Sequence, residues 1–413
     1  MTGPAVVSRR RFVVLGVVFL SYLLVFLARL SVGPLAPFLR DAFDLSSAEI
    51  GGLASATAVT YAPTLVAAGW LVDRIGVRRM LAAGTLTASL CIIAMFWAPS
   101  YAALLVLLAL SSLGAGCIYP SAVRAVVLWF PVTERATAIG VNQTAINVSG
   151  IIAALTLPVV AQRYGWDYGF FFVGVAGLFV TALVTAGYRS PPAAPGAPPP
   201  TRPPKGTFRS LLRVRDVRLL AGMGFFLGIV EYSLLSHVVL YARADYLLSA
   251  VAAGGVLALA QVAGAVGKPV TGLVSDRLLG ARRRPVLVAM CVLSLVACLG
   301  LAIGGADLGW AMYVLVALLG LGVIGWGGIF GTMAGEIGGR AAAGQVAGLT
   351  AAAVNVGVVF GPPAFGAIVD ASGSYGWAWL AMAVSSALAL ACVGFVREPR
   401  EHDPAAHVGF EEA

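Results

Sequence analysis

Polar side chains fall into short intervals along this chain, and the stretches between them stay apolar for about twenty positions or more. Twelve such stretches can be drawn: 12–37, 48–72, 79–98, 102–130, 136–161, 168–188, 217–242, 249–275, 285–304, 309–335, 342–369 and 376–396. An α-helix rises about 1.5 Å per residue, so about 20 apolar residues cross a hydrocarbon core of roughly 30 Å. Each stretch is therefore predicted to be one transmembrane helix, and the fold class is all-α integral membrane. Composition agrees with the pattern. Of 413 residues 60% are hydrophobic and only 11% charged, against about a quarter charged in soluble domains. The 50 glycines suit close helix packing in lipid.

The net charge of +9 would fit a nucleic-acid binder if the cations were clustered, but they alternate from one connection to the next. Arg9–Arg11, Arg74/Arg78/Arg79, Arg135, the segment 189–218, Arg282–Arg284, Arg340 and Arg397 lie in every second connection. Asp41, Asp44, Glu49, Asp167, Asp307 and Asp370 lie in the others. That alternation predicts a cytoplasmic (inner) membrane protein with both termini cytoplasmic and no nucleic-acid partner. The first apolar run is too long for a signal peptide, contains Arg29 and lacks a small-residue cleavage site, so it is read as an uncleaved helix. The five cysteines lie inside spans without metal-ligand spacing, and no metal or cofactor is expected.

A repeat divides the chain. Residues 69–79 read GWLVDRIGVRR and residues 272–284 read GLVSDRLLGARRR. Asp73 and Asp276 are 276 − 73 = 203 residues apart, about half the chain. Three further pairs keep the order: Arg135 with Arg340, Asn147 with Asn355, and Gly165-Trp166 with Gly376-Trp377. Two parallel six-helix halves follow. The predicted boundaries are 1–188 for the first bundle, 189–216 for a Pro-rich linker, and 217–413 for the second bundle with a short tail. The linker sequence SPPAAPGAPPPTRPPKG can neither span lipid nor form a core.

These landmarks resemble the major facilitator superfamily over nearly the whole length. Gly69-x-x-x-Asp73-Arg74-x-Gly76-x-Arg78-Arg79 is similar to its loop 2–3 signature, with Gly272, Asp276 and Arg277 as the second copy. The resemblance implies a gating motif that couples the halves, with Gly69 and Gly272 permitting close helix contact and Asp73 capping a helix N-terminus. Trp129-Phe130-Pro131 with Glu134-Arg135, and the run from Arg29 to Pro37, resemble the anion:cation symporter and monocarboxylate porter branches. Ala28 and Ala115 stand where the symporter branch carries an Asp and a Glu, which leaves another group to handle a proton.

Charges inside spans are few and costly in lipid, so each is a functional candidate. Arg29 shares a helical face with Tyr22 and Phe26, seven and three residues before it, a pattern that suits a carboxylate bearing an apolar remainder. Interfacial snorkelling is the alternative. Lys268 follows Gln261 by seven residues in span eight. Lys268-Pro269-x-x-Gly272 resembles the Arg-Pro-x-x-Gly of monocarboxylate porters, whose Asp four residues earlier is here Gly264. Glu231 is the carboxylate deep in a span and the candidate proton-coupling group. The repeat offset sets Tyr232 opposite Arg29, so an Arg29–Glu231 pair is also considered. Asn147 and Asn355 can bind substrate or bridge helices, and Tyr119 can line a cavity. Tyr61 and Trp326 are read as packing, His237 as interfacial, and Arg124 as a partner of Asp73.

The expected function is secondary active transport of a small organic anion, monocarboxylate or sugar-acid-like, by alternating access with proton symport, in a monomer. The alternative is proton-driven efflux of drug-like compounds. No P-loop, zinc or nucleophile-elbow motif occurs in the sequence, so an enzyme is not expected.

Overall fold

Among the described residues, 10–189 and 211–397 of the computed structural model, every regular element is helical. Most of the predicted linker and tail lies outside them. The helices are α1 (Arg10–Arg29), α2 (Val32–Phe43), α3 (Ser47–Ile75), α4 (Val77–Ala94), α5 (Tyr101–Trp129), α6 (Val132–Tyr164) and α7 (Trp166–Gly187). They continue as α8 (Arg215–Tyr246), α9 (Ala250–Leu273), α10 (Arg284–Gly304), α11 (Ala311–Ile324), α12 (Gly327–Ser372) and α13 (Tyr375–Gly394). Together they supply 12 spans long and apolar enough to cross a membrane.

Two spans expected as single helices are interrupted. Span one breaks at Leu30–Ser31, between α1 and α2. Pro34 has no N–H for the Leu30 carbonyl and its ring crowds that turn. The Ser31 hydroxyl turns back instead to the Ala28 carbonyl at 2.6 Å. Span ten breaks at Gly325–Trp326, where α11 ends and α12 begins. Gly325, Gly327 and Gly328 are poor helix formers, so the ladder lapses there without a proline.

The chain divides into two compact units. One takes the described residues within Met1–Asp44 and Ala56–Pro198, the other those within Leu45–Ser55 and Pro199–Ala413. Packing inside the two units follows one plan. α1 packs on α6 and α7, and α4 on α5 and α7; correspondingly α8 packs on α12 and α13, and α10 on α11 and α13. Even the buried hydroxyl bridges recur: Thr181 to Thr85 at 3.0 Å, and Ser386 to Ser294 at 2.7 Å. Glycine allows the tightest crossings. A Cβ on Gly114 would lie 2.3 Å from the Gly84 carbonyl oxygen, and one on Gly320 would lie 2.3 Å from that of Ala260.

The second unit includes the first turns of α3. The Ser47 and Ala48 amides donate to the two carboxylate oxygens of Asp370 at 2.9 and 2.8 Å. An anion there meets the positive end of a 29-residue helix. His237 Nε2 lies 3.0 Å from the Ser47 carbonyl oxygen, with its ring 4.8 Å from that of Phe365. His237, expected as an interfacial histidine, is fully buried, with Phe365 and the α3 terminus against it.

Candidate substrate and coupling sites

Arg29 ends α1, and helical periodicity lines Tyr22 and Phe26 up beneath it. Those two rings stack with centroids 5.2 Å apart. The Arg29 guanidinium lies 4.3 Å from the Tyr61 ring centroid and 6.0 Å from that of Phe26. Tyr119 extends the wall, 6.4 Å from Tyr22. Arg29 is only 7% exposed. A ring face under a desolvated guanidinium contributes up to about 2 kcal/mol. Tyr61 was passed over as packing because it reaches Arg29 from another helix, and linear spacing carries no sign of that. Asn147 is buried on α6.

The second unit builds a different cluster. Glu231, midway along α8, accepts a hydrogen bond from the Trp326 indole N–H at 3.1 Å. Its charge also acts on Lys268 of α9. Expectation had turned Glu231 toward Arg29; the structure supplies a cation and a donor from within its own unit. Small residues make this convergence possible. Gly267, adjacent to Lys268, crosses the span-ten break so closely that its Cβ would lie 3.3 Å from the Gly325 Cα. Gln261 is buried on α9, and Tyr232 is half-buried beside Glu231. The Asn355 amide turns back on its own helix, donating to the Ala351 carbonyl at 2.9 Å. Among the described residues, no group of three or more His, Cys, Asp or Glu could hold a metal.

The sequence profile of the Major Facilitator Superfamily matches residues 18–352. The chain belongs to the Major Facilitator Superfamily. It is thus a multi-pass membrane transporter, not an enzyme. It is 26% identical over 404 residues to the "Hexuronate transporter" of Bacillus subtilis, covering 94% of this chain and 96% of that protein. It is 28% identical over 184 residues to the "Probable sulfoacetate transporter" of Cupriavidus necator, covering 45% of this chain and 43% of that protein. The latter alignment spans less than half of the relative's length. A solved bacterial homolog to the human lysosomal transporter Spinster, inward-facing and occupied, superposes with a TM-score of 0.79 at 18% identity. That match covers 94% of this chain and 97% of that one, and carries the fold alone.

The two loop copies in this transporter each carry a glycine at positive φ and otherwise differ, the second running through a π-helical turn at Val274–Leu278. Gly76 (φ +86) and Gly280 (φ +60) both adopt conformations that a Cβ would strain. A Cβ on Gly69 or Gly272 would meet nothing within 4 Å, whereas the tight crossings lie deeper in the spans. The Asp73 side chain is outside the described ones. Arg74 is exposed, and Arg78 donates to the Thr185 carbonyl. In the second copy Asp276 pairs with Arg283, while Arg277 is exposed. Arg283 also reaches Glu336 at 3.1 Å and the Ser275 hydroxyl at 2.8 Å. Burial opposes its charge, but the bonds to Asp276 and Glu336 outweigh that and raise its pKa. Which of three consecutive arginines would bind could not be read from the run itself.

Proposed function

We propose that this transporter moves a small organic anion, monocarboxylate or sugar-acid-like, in symport with protons across the cytoplasmic membrane. The observation that carries the reading is the buried Arg29 guanidinium seated over Tyr61. With one face on a ring, the planar fork still directs N–H bonds along its edge, the geometry that grips a carboxylate in two places. Tyr22, Phe26 and Tyr119 would hold the apolar remainder. Hexuronate and sulfoacetate, named for two relatives, are both small organic anions.

Lys268 and Glu231 supply a coupling scheme. With Glu231 ionised, its charge offsets that of Lys268. When Glu231 takes up a proton, Lys268 is left to pair with the carboxylate of the substrate. One proton and one anion then enter together without changing the charge of the unit. Gln261, Tyr232, Asn147 and Asn355 are proposed as neutral contacts. Asp73, with the loop residues of both copies, is proposed as the gate. Asp73→Asn is then expected to lower transport while binding persists, because it biases a conformational equilibrium.

The test is uptake of a radiolabelled carboxylate panel into proteoliposomes, with and without an inward proton gradient. Gradient-driven accumulation of at least one carboxylate is expected. Absence of carboxylate binding, together with transport of amphiphilic cations, would replace this reading with efflux. For orientation, cysteines at Ala197 and Ala405 should resist impermeant thiol reagents in intact cells, and one at Asp307 should react. Labelling of Ala197 from outside would reverse the cytoplasmic assignment of the linker.

A further inference from the structure

Trp326 occupies the break in span ten, between the last residue of α11 and the first of α12. Its indole N–H has two acceptors, the Val323 carbonyl at 2.7 Å and Glu231 at 3.1 Å. The first anchors the ring to the end of α11. The second directs the same hydrogen at a carboxylate on α8. Phe330, one turn on, meets the indole edge-to-face at 4.6 Å, and Trp326 is only 3% exposed. The ring is therefore held from two sides whether or not Glu231 bonds to it. The break itself is tied to the neighbourhood of Lys268. Gly325 and Gly267 approach backbone to backbone, and the Thr271 hydroxyl lies 3.0 Å from the Lys268 carbonyl and 3.4 Å from that of Gly325.

We infer that Trp326 is a positioning residue for proton coupling, holding the Glu231 carboxylate against the break in span ten. An indole N–H can only donate, so it favours the ionised carboxylate over the neutral acid. The other ionisable side chains described on the helices packed against α8, apart from Asp307 of the short helix Gly305–Leu308, are engaged elsewhere or differ in kind. Glu336 binds Arg283, and Asp370 binds the Ser47 and Ala48 amides. α11 and α13 contribute Tyr313, Tyr375 and Cys392. Lys268 is the ionisable side chain of α9. The inference rests on the proposed role of Glu231 as coupler, and its test separates the two.

Trp326→Phe keeps a ring against Phe330 and removes the donor. Proton-driven uptake and proton-independent counterflow are measured across pH for the parent, Trp326→Phe and Glu231→Gln proteins in liposomes. The midpoint of proton-driven uptake should move upward in Trp326→Phe by about one pH unit, a tenfold change in proton affinity. Counterflow should stay within about twofold of the parent, since packing is retained. A merely structural tryptophan would lower both activities and leave the midpoint unmoved, which overturns the inference. If Glu231→Gln keeps the parent's pH profile, the coupler reading falls first. If Glu231→Gln loses that profile while Trp326→Phe keeps it, only the positioning inference falls. Should Trp326→Phe not fold, Trp326→Gln and Trp326→Leu are compared. The amide, which returns an N–H, must lie nearer the parent's midpoint than leucine for the inference to stand.

Discussion

The two halves of this transporter share a scaffold and differ in their chemistry. Each unit pairs the same spans, and each bridges its third and sixth spans with a buried hydroxyl pair. Yet the first unit sets a permanent cation on aromatic rings, whereas the second sets a titratable cation near a titratable carboxylate and an indole donor. A guanidinium keeps its charge at any physiological pH; an ammonium and a carboxyl group in lipid need not. Duplication thus preserves what close packing demands, while the charged side chains diverge. Under the proposed function, the first unit holds the anion and the second links it to a proton.

Removing Arg29 should have the largest effect. Arg29→Ala is expected to weaken anion binding by roughly 100-fold or more, and Arg29→Lys by about tenfold, because the charge survives without the fork. Calorimetry or substrate protection against thermal unfolding measures both. An Arg29→Ala protein that binds carboxylates like the parent would erase the distinction between the halves.

Next in size is Lys268→Ala, which removes the cation on which the Glu231 charge acts. The expected loss is about 1–3 kcal/mol of stability, the low side of the buried range because neither group is fully buried. Adding Glu231→Gln should recover part of it in thermal unfolding of purified protein. Lys268→Arg should keep partial transport, whereas Lys268→Ala should not. Additive losses in the double variant would mean that the two groups do not act together.

Tyr61→Leu sharpens the contrast from the other side. Loss of the ring face under Arg29 should weaken binding by about fivefold, near 1 kcal/mol, at every pH tested. A pH-dependent effect would move titratable behaviour into the first unit. The smallest expected changes test the shared scaffold: Thr85→Val and Ser294→Ala should each cost about 0.6 kcal/mol of stability, equally in both halves. Neither should alter substrate selectivity.

The sequence alone determined the membrane class, the twelve spans and the duplicated plan, because each is written locally. An apolar run long enough to cross lipid identifies itself, and so does a loop repeated after 203 residues. Tyr22, Phe26 and Arg29 also share a face by helical spacing, a local property as well. Tertiary structure decided the rest. Tyr61 meets Arg29, and Trp326 meets Glu231, across helices far apart in the chain. Their approach depends on which glycines lie at crossings and which lie open to space. Gly267 and Gly325 lie at one; Gly69 and Gly272 do not, although their motif invites it. Hydrophobic periodicity encodes burial but not which buried neighbour is met, so the partner of a charged side chain inside the membrane emerges only once the helices have packed.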